Sequence, residues 1–436
     1  MTYGNDEFVP ILLGTGLGAY NIARSLHEEF GVRSLALGRV ALRETSHSRI
    51  VDVRASRELD KPEHIVAELL ALADEFPDRA LLLIGTIEYY VNVLIDYRER
   101  LGERFVVPLV DRALADRLIN KTDFYATCEE VGVPHPRTVV LTPDVRRDSG
   151  VGEGLPFSYP VILKPSNTDV YQRRSFPGKQ KIYLLDDPAS VREVAERIFA
   201  AGYDDDLIVQ EYIEGDESVM RVANTYSDRN GQLTFVSVGQ VVLADRDPVM
   251  VGNYDAILTV DDPGLAASLG TLLNAVGYTG SANFDVMHDR RDGRSKVLEL
   301  NLRQGAISYY AMAAGGNIPA RMVNDWVYGT PTAYEATTQE RLLLNLPYPL
   351  AVIYAPRGLR SRVRAAKRRG SKHTLWYRPD MSLKRLITVL RVDLRHVLST
   401  ITHARRGMNR GPRAPDVRSG GRAQAPHSWA GSQGAR

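Results

Sequence analysis

The chain of 436 residues has a single cysteine, Cys128, so no intramolecular disulfide can form and no cysteine-based metal cluster can assemble. Cys128 falls within a helical pattern and reads as a small core residue rather than a nucleophile. No apolar run reaches the roughly 18 residues that a membrane-spanning helix needs. The opening residues MTYGNDEF carry no basic segment of the kind that begins a secretion signal, so a reducing, cytoplasmic setting is the expectation. No G-x-x-x-x-G-K-[ST] phosphate loop occurs, which argues against a P-loop NTPase. The turn Gly14-Thr15-Gly16-Leu17-Gly18 misses the G-x-G-x-x-G dinucleotide fingerprint. The strand after it ends in Gly38-Arg39 instead of an acid that would hold a ribose, which argues against NAD.

What is present is ordinary in amount and uneven in placement. Hydrophobic residues make up 44% and charged residues 25%, and the length fits two or three domains with a sizeable core. Acidic residues nearly vanish at the C-terminal end. From Pro356 to Arg436 there are 20 Lys and Arg against 3 Asp, whereas the first 355 residues hold 35 basic and 50 acidic ones. An acidic body thus bears a basic tail, and the two need separate explanations.

The body begins as a doubly wound α/β domain. An apolar strand at 9–14, the glycine turn, a helix at 20–30 and a strand at 32–37 make a βαβ unit. A helix at 62–75, a strand at 80–84, a helix at 90–101 and a strand at 105–108 continue it, which places this domain at 1–117. Residues 118–335 read as α+β: a helix at 121–131 and 265–276, and strands at 137–141, 160–164, 181–185, 207–212, 218–225, 233–243, 282–288 and 296–301. Within it a smaller lobe spans about 138–215. Residues 336–404 form a basic extension, with a loop at 357–372 and an amphipathic helix at 382–401 that sets Leu383, Leu386, Ile387, Leu390, Leu394, Val397 and Leu398 on one side. Residues 405–436 are Gly, Pro, Arg, Ser and Ala-rich and are expected to stay disordered.

The strongest chemical signal lies at 283–305. Asp292-Gly293 supplies a turn between two strand-like runs, so a hairpin is expected. In its second strand Glu299, Asn301 and Arg303 alternate with Leu298, Leu300 and Leu302, and Asp285 on the first strand can share their polar face. Two carboxylates and an amide oxygen suit a hard cation such as Mg2+, with water and phosphate filling the remaining positions. Arg303 is placed to reach a phosphoryl group or an oxyanion. A half-exposed hairpin with a wetted face is the plain alternative. Lys164 ends a buried strand and Lys121 opens a helix; both suit phosphate as point charges. The segment 168–181, with Arg173, Arg174, Gly178, Lys179 and Lys181, is basic and suits a lid, or is a plain surface loop. In Ile208-Val-Gln-Glu211-Tyr212-Ile213-Glu-Gly-Asp-Glu217 an apolar strand runs into acids, where peptide groups can read an adenine edge and Glu217 a ribose.

Taken in order, Asn120-Lys121, Tyr-Pro-Val-Ile-Leu-Lys164-Pro, Val-Gln-Glu-Tyr-Ile-Glu-Gly-Asp-Glu217, Asp285 and Glu299-x-Asn301-x-Arg303 resemble the ATP-grasp superfamily over about residues 8–330. The opening Pro-Ile-Leu-Leu-Gly-Thr-Gly-Leu-Gly-Ala-Tyr-Asn-Ile-Ala-Arg looks most like the D-aspartate ligase-like carboxylate–amine ligases. The resemblance implies a Rossmann-like pre-domain and a two-lobed nucleotide-binding module. It implies that Lys121 and Lys164, and Lys181 more weakly, bind ATP phosphates, that Glu211, Tyr212 and Ile213 form the adenine hinge, and that Glu217 holds the ribose. It implies two Mg2+ on Asp285, Glu299 and Asn301, with Arg303 and Lys164 serving the chemistry. Asp285 departs from the Glu of many relatives. Gly14, Gly16, Gly18, Arg221, Arg303 and Gly305 are added as candidate substrate contacts.

The activity implied is an ATP- and Mg2+-dependent ligase that forms an amide through an acyl phosphate, adding an amino acid such as D-aspartate to a peptidoglycan precursor, with a UDP-linked muramyl peptide as the amine. The alternatives are a ligase of free amino acids that makes a dipeptide or specialised metabolite, and a nucleotide-binding regulatory protein without turnover. For the basic tail, docking of 382–401 on an anionic membrane at the inner face competes with nucleic-acid binding, which is not favoured, and with a helix simply packed on the body. Oligomeric state is not read from the sequence.

Overall fold

The computed structural model describes residues 3–144, 150–245 and 253–408, with side chains as far as 403. They gather into two compact units. Among the described residues, one holds those of 3–119, 123–135 and 213–407; the other holds those of 120–122 and 136–212.

The larger unit opens with a five-stranded parallel sheet. Its strands are β1 Phe8–Leu13, β2 Ser34–Gly38, β3 Val51–Ala55, β4 Ala80–Gly85 and β5 Phe105–Val106, in the order β3-β2-β1-β4-β5. Every residue of the central strand β1 is buried, as a parallel strand covered on both faces requires. Helices α1 Leu17–Phe30, α2 Pro62–Glu75, α3 Glu88–Asp96 and α4 Arg98–Leu101 make the crossovers, and α5 Arg112–Ile119 and α6 Lys121–Glu130 follow. Gly31 ends α1 in the left-handed region and Pro62 opens α2, the usual stop and start chemistry. The helix expected over 90–101 is interrupted at Tyr97. The strand order reverses beside β1, so the glycine turn at 14–18 lies at a topological switch point, where open α/β sheets bind ligands.

The smaller unit is an antiparallel sheet in the order β6-β9-β7-β8, from β6 Thr138–Leu141, β7 Val161–Pro165, β8 Tyr183–Leu185 and β9 Leu207–Glu211. Helices α7 Thr168–Gln172 and α8 Pro188–Ala200 accompany it. Val191, Ile198 and Phe199 of α8 pack with Val161, Leu163 and Val209, and the Asp187 side chain caps the helix at the Ser190 N–H.

An eight-stranded sheet completes the larger unit. It uses β10 Met220–Ser227, β11 Leu233–Ala244, β12 Tyr254–Val260, β13 Gly280–Asp289, β14 Arg294–Asn301, β15 Glu335–Ala336, β16 Leu342–Leu344 and β17 Ser371–His373. The order is β14-β13-β10-β11-β12-β16-β17, with β15 beside β11. Its helices are α9 Pro263–Ala275, α10 Tyr310–Ala313, α11 Ile318–Trp326, α12 Tyr348–Tyr354, α13 Arg360–Arg369 and α14 Leu383–Met408.

The C-terminal segment departs from the sequence reading. The loop expected over 357–372 is a 3-10 turn, α13 and the start of β17. Of the α13 residues only Val363 and Ala366 are buried, too few to leave an apolar period among the arginines. Residues 405–408 extend α14, and the rest of the tail expected to be disordered lies outside the described residues. A fully buried Arg385 anchors α14 to the first sheet's connections. Its guanidinium donates to the carbonyls of Arg43 (3.3 Å), Glu44 (2.7 Å) and Ser46 (2.9 Å), lies 4.5 Å over the Tyr20 ring, and has Nε 3.1 Å from Asp380 Oδ2. Asp380 also accepts from the Tyr20 hydroxyl (2.8 Å), the Ser48 hydroxyl (2.9 Å) and the Arg49 N–H.

Candidate active site

The expected hairpin is present, and its register sets the chemistry. Strands β13 and β14 are joined through Gly293, whose φ of 70° only glycine adopts readily and whose N–H donates to the Asp289 carbonyl at 2.8 Å. Asp285 stands directly opposite Glu299, and Asn283 directly opposite Asn301. With a side-chain period of two, all four share one face of the sheet. Two carboxylates set opposite each other on neighbouring strands repel, so this face gains from a cation between them. Tyr254 donates its hydroxyl to Asp285 Oδ1 at 3.3 Å, and burial together with the Asp285 charge pushes the phenol far above its ordinary range, so it remains a donor. Among the described residues no cluster of three or more His, Cys, Asp or Glu is assembled as a metal cage. Two carboxylates and an amide, all hard oxygen donors, fit Mg2+ sharing its shell with water and phosphate, and do not fit zinc.

The chain beyond β14 is held in place by residues that sequence reasoning missed. Asn224 on β10 is 1% exposed; its Oδ1 accepts the Gly305 N–H at 3.0 Å and its Nδ2 donates to Tyr310 at 2.8 Å. A Cβ on Gly305 would stand 2.7 Å from Asn283 Oδ1, so the close approach requires glycine. Arg303 pairs with Glu88 at the start of α3 and donates to the Gln304 carbonyl at 3.0 Å. Asn21 on α1 donates to the Ala306 carbonyl at 2.7 Å. The glycine turn belongs to the same neighbourhood: a Cβ on Gly18 would lie 3.6 Å from the Ala306 Cα. Gly14 has φ of 122°, and a Cβ there would collide with Thr86; Gly16 caps α1. The structure thus brings Arg303, Gly305 and Gly18 together.

Arg221 does not join them. It sits opposite Val286 and therefore on the other face from Asp285, where it pairs with Asp262 and donates to the Ser295 hydroxyl at 2.9 Å. Glu217 opens a 3-10 turn, and the Gln240 side chain fixes its carbonyl at 3.0 Å. Ile213 is buried.

In the smaller unit Lys164 lies on β7 and Lys121 opens α6, only 8% and 7% exposed. Lysine is seldom buried so far unless its charge is matched. Lys121 Nζ is 3.4 Å from the Thr168 hydroxyl. Around it Ser166 donates to Asn120 Oδ1 at 2.8 Å, and Thr122 to Asp206 at 3.1 Å. At the end of β9 the Glu211 carboxylate accepts from the Arg137 N–H (3.0 Å) and Nε (3.3 Å), which holds the strand end where Tyr212 follows. The segment 168–181 is more ordered than an open loop. It contains α7, capped by the Asn167 side chain, and Lys179 donates to the carbonyls of Gln172 (3.0 Å) and Arg174 (2.6 Å). Lys181 is exposed ahead of β8, apart from the two buried lysines in character. A cavity of about 400 Å3 elsewhere in the larger unit is lined by Arg24, Lys372, His373 and Trp376 and includes none of the predicted site residues.

No family model matches the chain. It is 34% identical over 393 residues to the D-aspartate ligase of Enterococcus faecium (strain Aus0004), covering 87% of this chain and 93% of that protein. Its fold matches the L-amino acid ligase of Bacillus licheniformis with a TM-score of 0.52 over 74% of this chain and 75% of that one, at 14% identity. It also matches the biotin carboxylase domain of the Hydrogenobacter thermophilus 2-oxoglutarate carboxylase, solved with MgADP and bicarbonate, with a TM-score of 0.55 over 77% and 73%, at 15% identity. The architecture is that of the ATP-grasp ligases, and the chain belongs to the D-aspartate ligase family, ATP-dependent enzymes that join a carboxylate to an amine.

Proposed function

We propose that this ligase activates the carboxylate of an amino acid, D-aspartate first among the candidates, and transfers it to the amine of a peptidoglycan precursor such as a UDP-linked muramyl peptide. The 34% identity to a D-aspartate ligase over nearly the whole of both chains supports the donor. The observation that carries the chemistry is the opposed pair Asp285 and Glu299, with Asn301 on the same face and Arg303 two residues on.

We assign the ATP phosphates to Lys121 and Lys164, the adenine to the peptide groups of Glu211, Tyr212 and Ile213, and the ribose to Glu217. Asp285, Glu299 and Asn301 would hold Mg2+, two ions in our reading, which when bound supply charge neutralisation on the transferred phosphoryl group. The acid's carboxylate attacks the γ-phosphorus, releasing ADP and leaving an acyl phosphate. The amine then attacks the acyl carbon and phosphate departs. Arg303 offers a guanidinium to the oxyanion of that second step, and Glu88 holds it in place. Asn224 fixes the Gly305 N–H, so the backbone after Arg303 keeps one conformation.

ADP release by the purified protein with ATP and Mg2+, across D-Asp, L-Asp and other amino acids, with and without a UDP-linked muramyl pentapeptide, tests the reading. The expected result is release that requires both D-Asp and the pentapeptide, with a product heavier by one amide-linked aspartate. Release with free amino acids alone, giving a dipeptide, overturns the acceptor. Release driven by another acid overturns the donor.

A further inference from the structure

Helix α14 has two unlike faces, and the more apolar one points away from the protein. The packed face is made by Arg385 and Val389, both 0% exposed, and by Val392 and Thr400, both 4% exposed. Leu383, Ile387, Leu390, Leu394 and Leu398 are 76, 43, 49, 58 and 58% exposed. Their spacing of four, three, four and four residues sets them in one stripe along the helix. Most of the residues that the sequence pattern would put against a core are thus left in solvent. Folded soluble chains rarely leave a contiguous apolar stripe of this length without a use for it.

The stripe has a basic border. Lys384, Arg391 and Arg395 are exposed along one flank. Arg43, Arg391 and Arg395 line a shallow cavity of about 450 Å3 together with Leu394 and Leu398. On the other flank the half-exposed Trp376 donates its indole N–H to Asp393 at 2.9 Å. No helix among the described residues is long and apolar enough to cross a membrane. Leucines beside lysine and arginine, with a tryptophan at the edge, form the pattern of a helix that lies in the plane of a bilayer interface.

We propose that the outer face of α14 is a docking surface for an anionic lipid bilayer, on which the helix lies with Leu383, Ile387, Leu390, Leu394 and Leu398 among the acyl chains and the flanking cations against lipid phosphates. Charge complementarity selects this occupant. The chain's own last residues, 409–436, carry five Arg against one Asp, and Val417 and Trp429 are their only large apolar side chains, so they match neither the sign nor the surface. A second copy packed antiparallel along the stripe would bring Lys384, Arg391 and Arg395 against their like. An anionic bilayer supplies both an apolar phase and the opposite charge.

Co-sedimentation of the full-length protein with vesicles of phosphatidylglycerol and phosphatidylcholine, and with phosphatidylcholine alone, tests this. The wild type is expected to pellet with the anionic vesicles and to be released by salt. The variant Leu390→Ser with Leu394→Ser keeps the charge, lies on exposed positions, and is expected to bind at least about ten-fold more weakly with unchanged melting temperature and ADP release. Equal pelleting of variant and wild type overturns the proposal and leaves a purely electrostatic tail. Failure of the wild type to pellet overturns it outright, as does a dimer in solution that the variant dissolves.

Discussion

Asp380 and Asp285 lie in the same unit, yet their settings differ: the first is fully buried and the second half-buried. Asp380 is surrounded by donors: the Tyr20 and Ser48 hydroxyls, the Arg49 N–H and the buried Arg385 guanidinium. Asp325 and Asp289 follow the same rule, the first with Arg229 and Tyr226, the second with Arg291 and Lys296. Asp285 faces a second carboxylate, Glu299, directly across the strand pair. A buried acid that meets a cation from its own chain holds the fold. A half-buried acid set opposite another acid on the neighbouring strand carries a like-charge repulsion that a cation arriving between them relieves.

Substitutions on the two sides of this comparison should therefore behave differently. Removing the Arg385 guanidinium leaves Asp380 buried and several carbonyls without their donor, so Arg385→Ala is expected to lose ~3–5 kcal/mol of stability, read as a lower denaturation midpoint in urea. Asp285→Asn and Glu299→Gln are expected to do the reverse: turnover falls by at least about 10²-fold, while the melting temperature without Mg2+ holds or rises because the repulsion is relieved. A large fall in stability from either would place the carboxylate pair with the structural acids. His373 sharpens the contrast as a half-buried group that is kept uncharged. Burial, with Arg24, His396 and Lys367 adding to it, pushes the imidazole down to about 3. The depressed value means that the unfolded chain takes up the proton first. Stability from this site is complete above roughly pH 6.5 and is lost progressively as pH falls towards 3, at ~1.4 kcal/mol per pH unit. His373→Gln is expected to flatten that limb of a melting-temperature profile by about one proton; an unchanged slope would show that other groups govern it.

The hairpin was legible because its signal is local. Alternation of Glu299, Asn301 and Arg303 with leucines, a turn at Asp292-Gly293 and an acid on the preceding strand fix a face without knowledge of the rest of the chain. The parallel sheet was legible for the same reason, since its strands read as short apolar runs. The β3 strand was not: Val-Asp-Val-Arg-Ala is half polar and sits at the sheet edge. Asn224 carries no local mark of its task, because the Gly305 N–H that it accepts lies 81 residues away. Arg221 was misleading because an arginine on a strand gives no hint of its face until the register with Val286 is known. The leucine spacing of α14 marks one side of the helix, but which side packs depends on Arg385 reaching carbonyls that no sequence pattern identifies.

That reach has a consequence for how the chain is born. Arg385 and the Arg43 carbonyl are 342 residues apart. Chains emerge from the ribosome with the N-terminal part first, so the first sheet must wait through most of synthesis before the cation that locks its 43–46 connection appears. Until then the nascent domain carries an unsealed corner, and a chain truncated before Arg385 would have the hairpin of Asp285 and Glu299 written in full and its first sheet left unlatched.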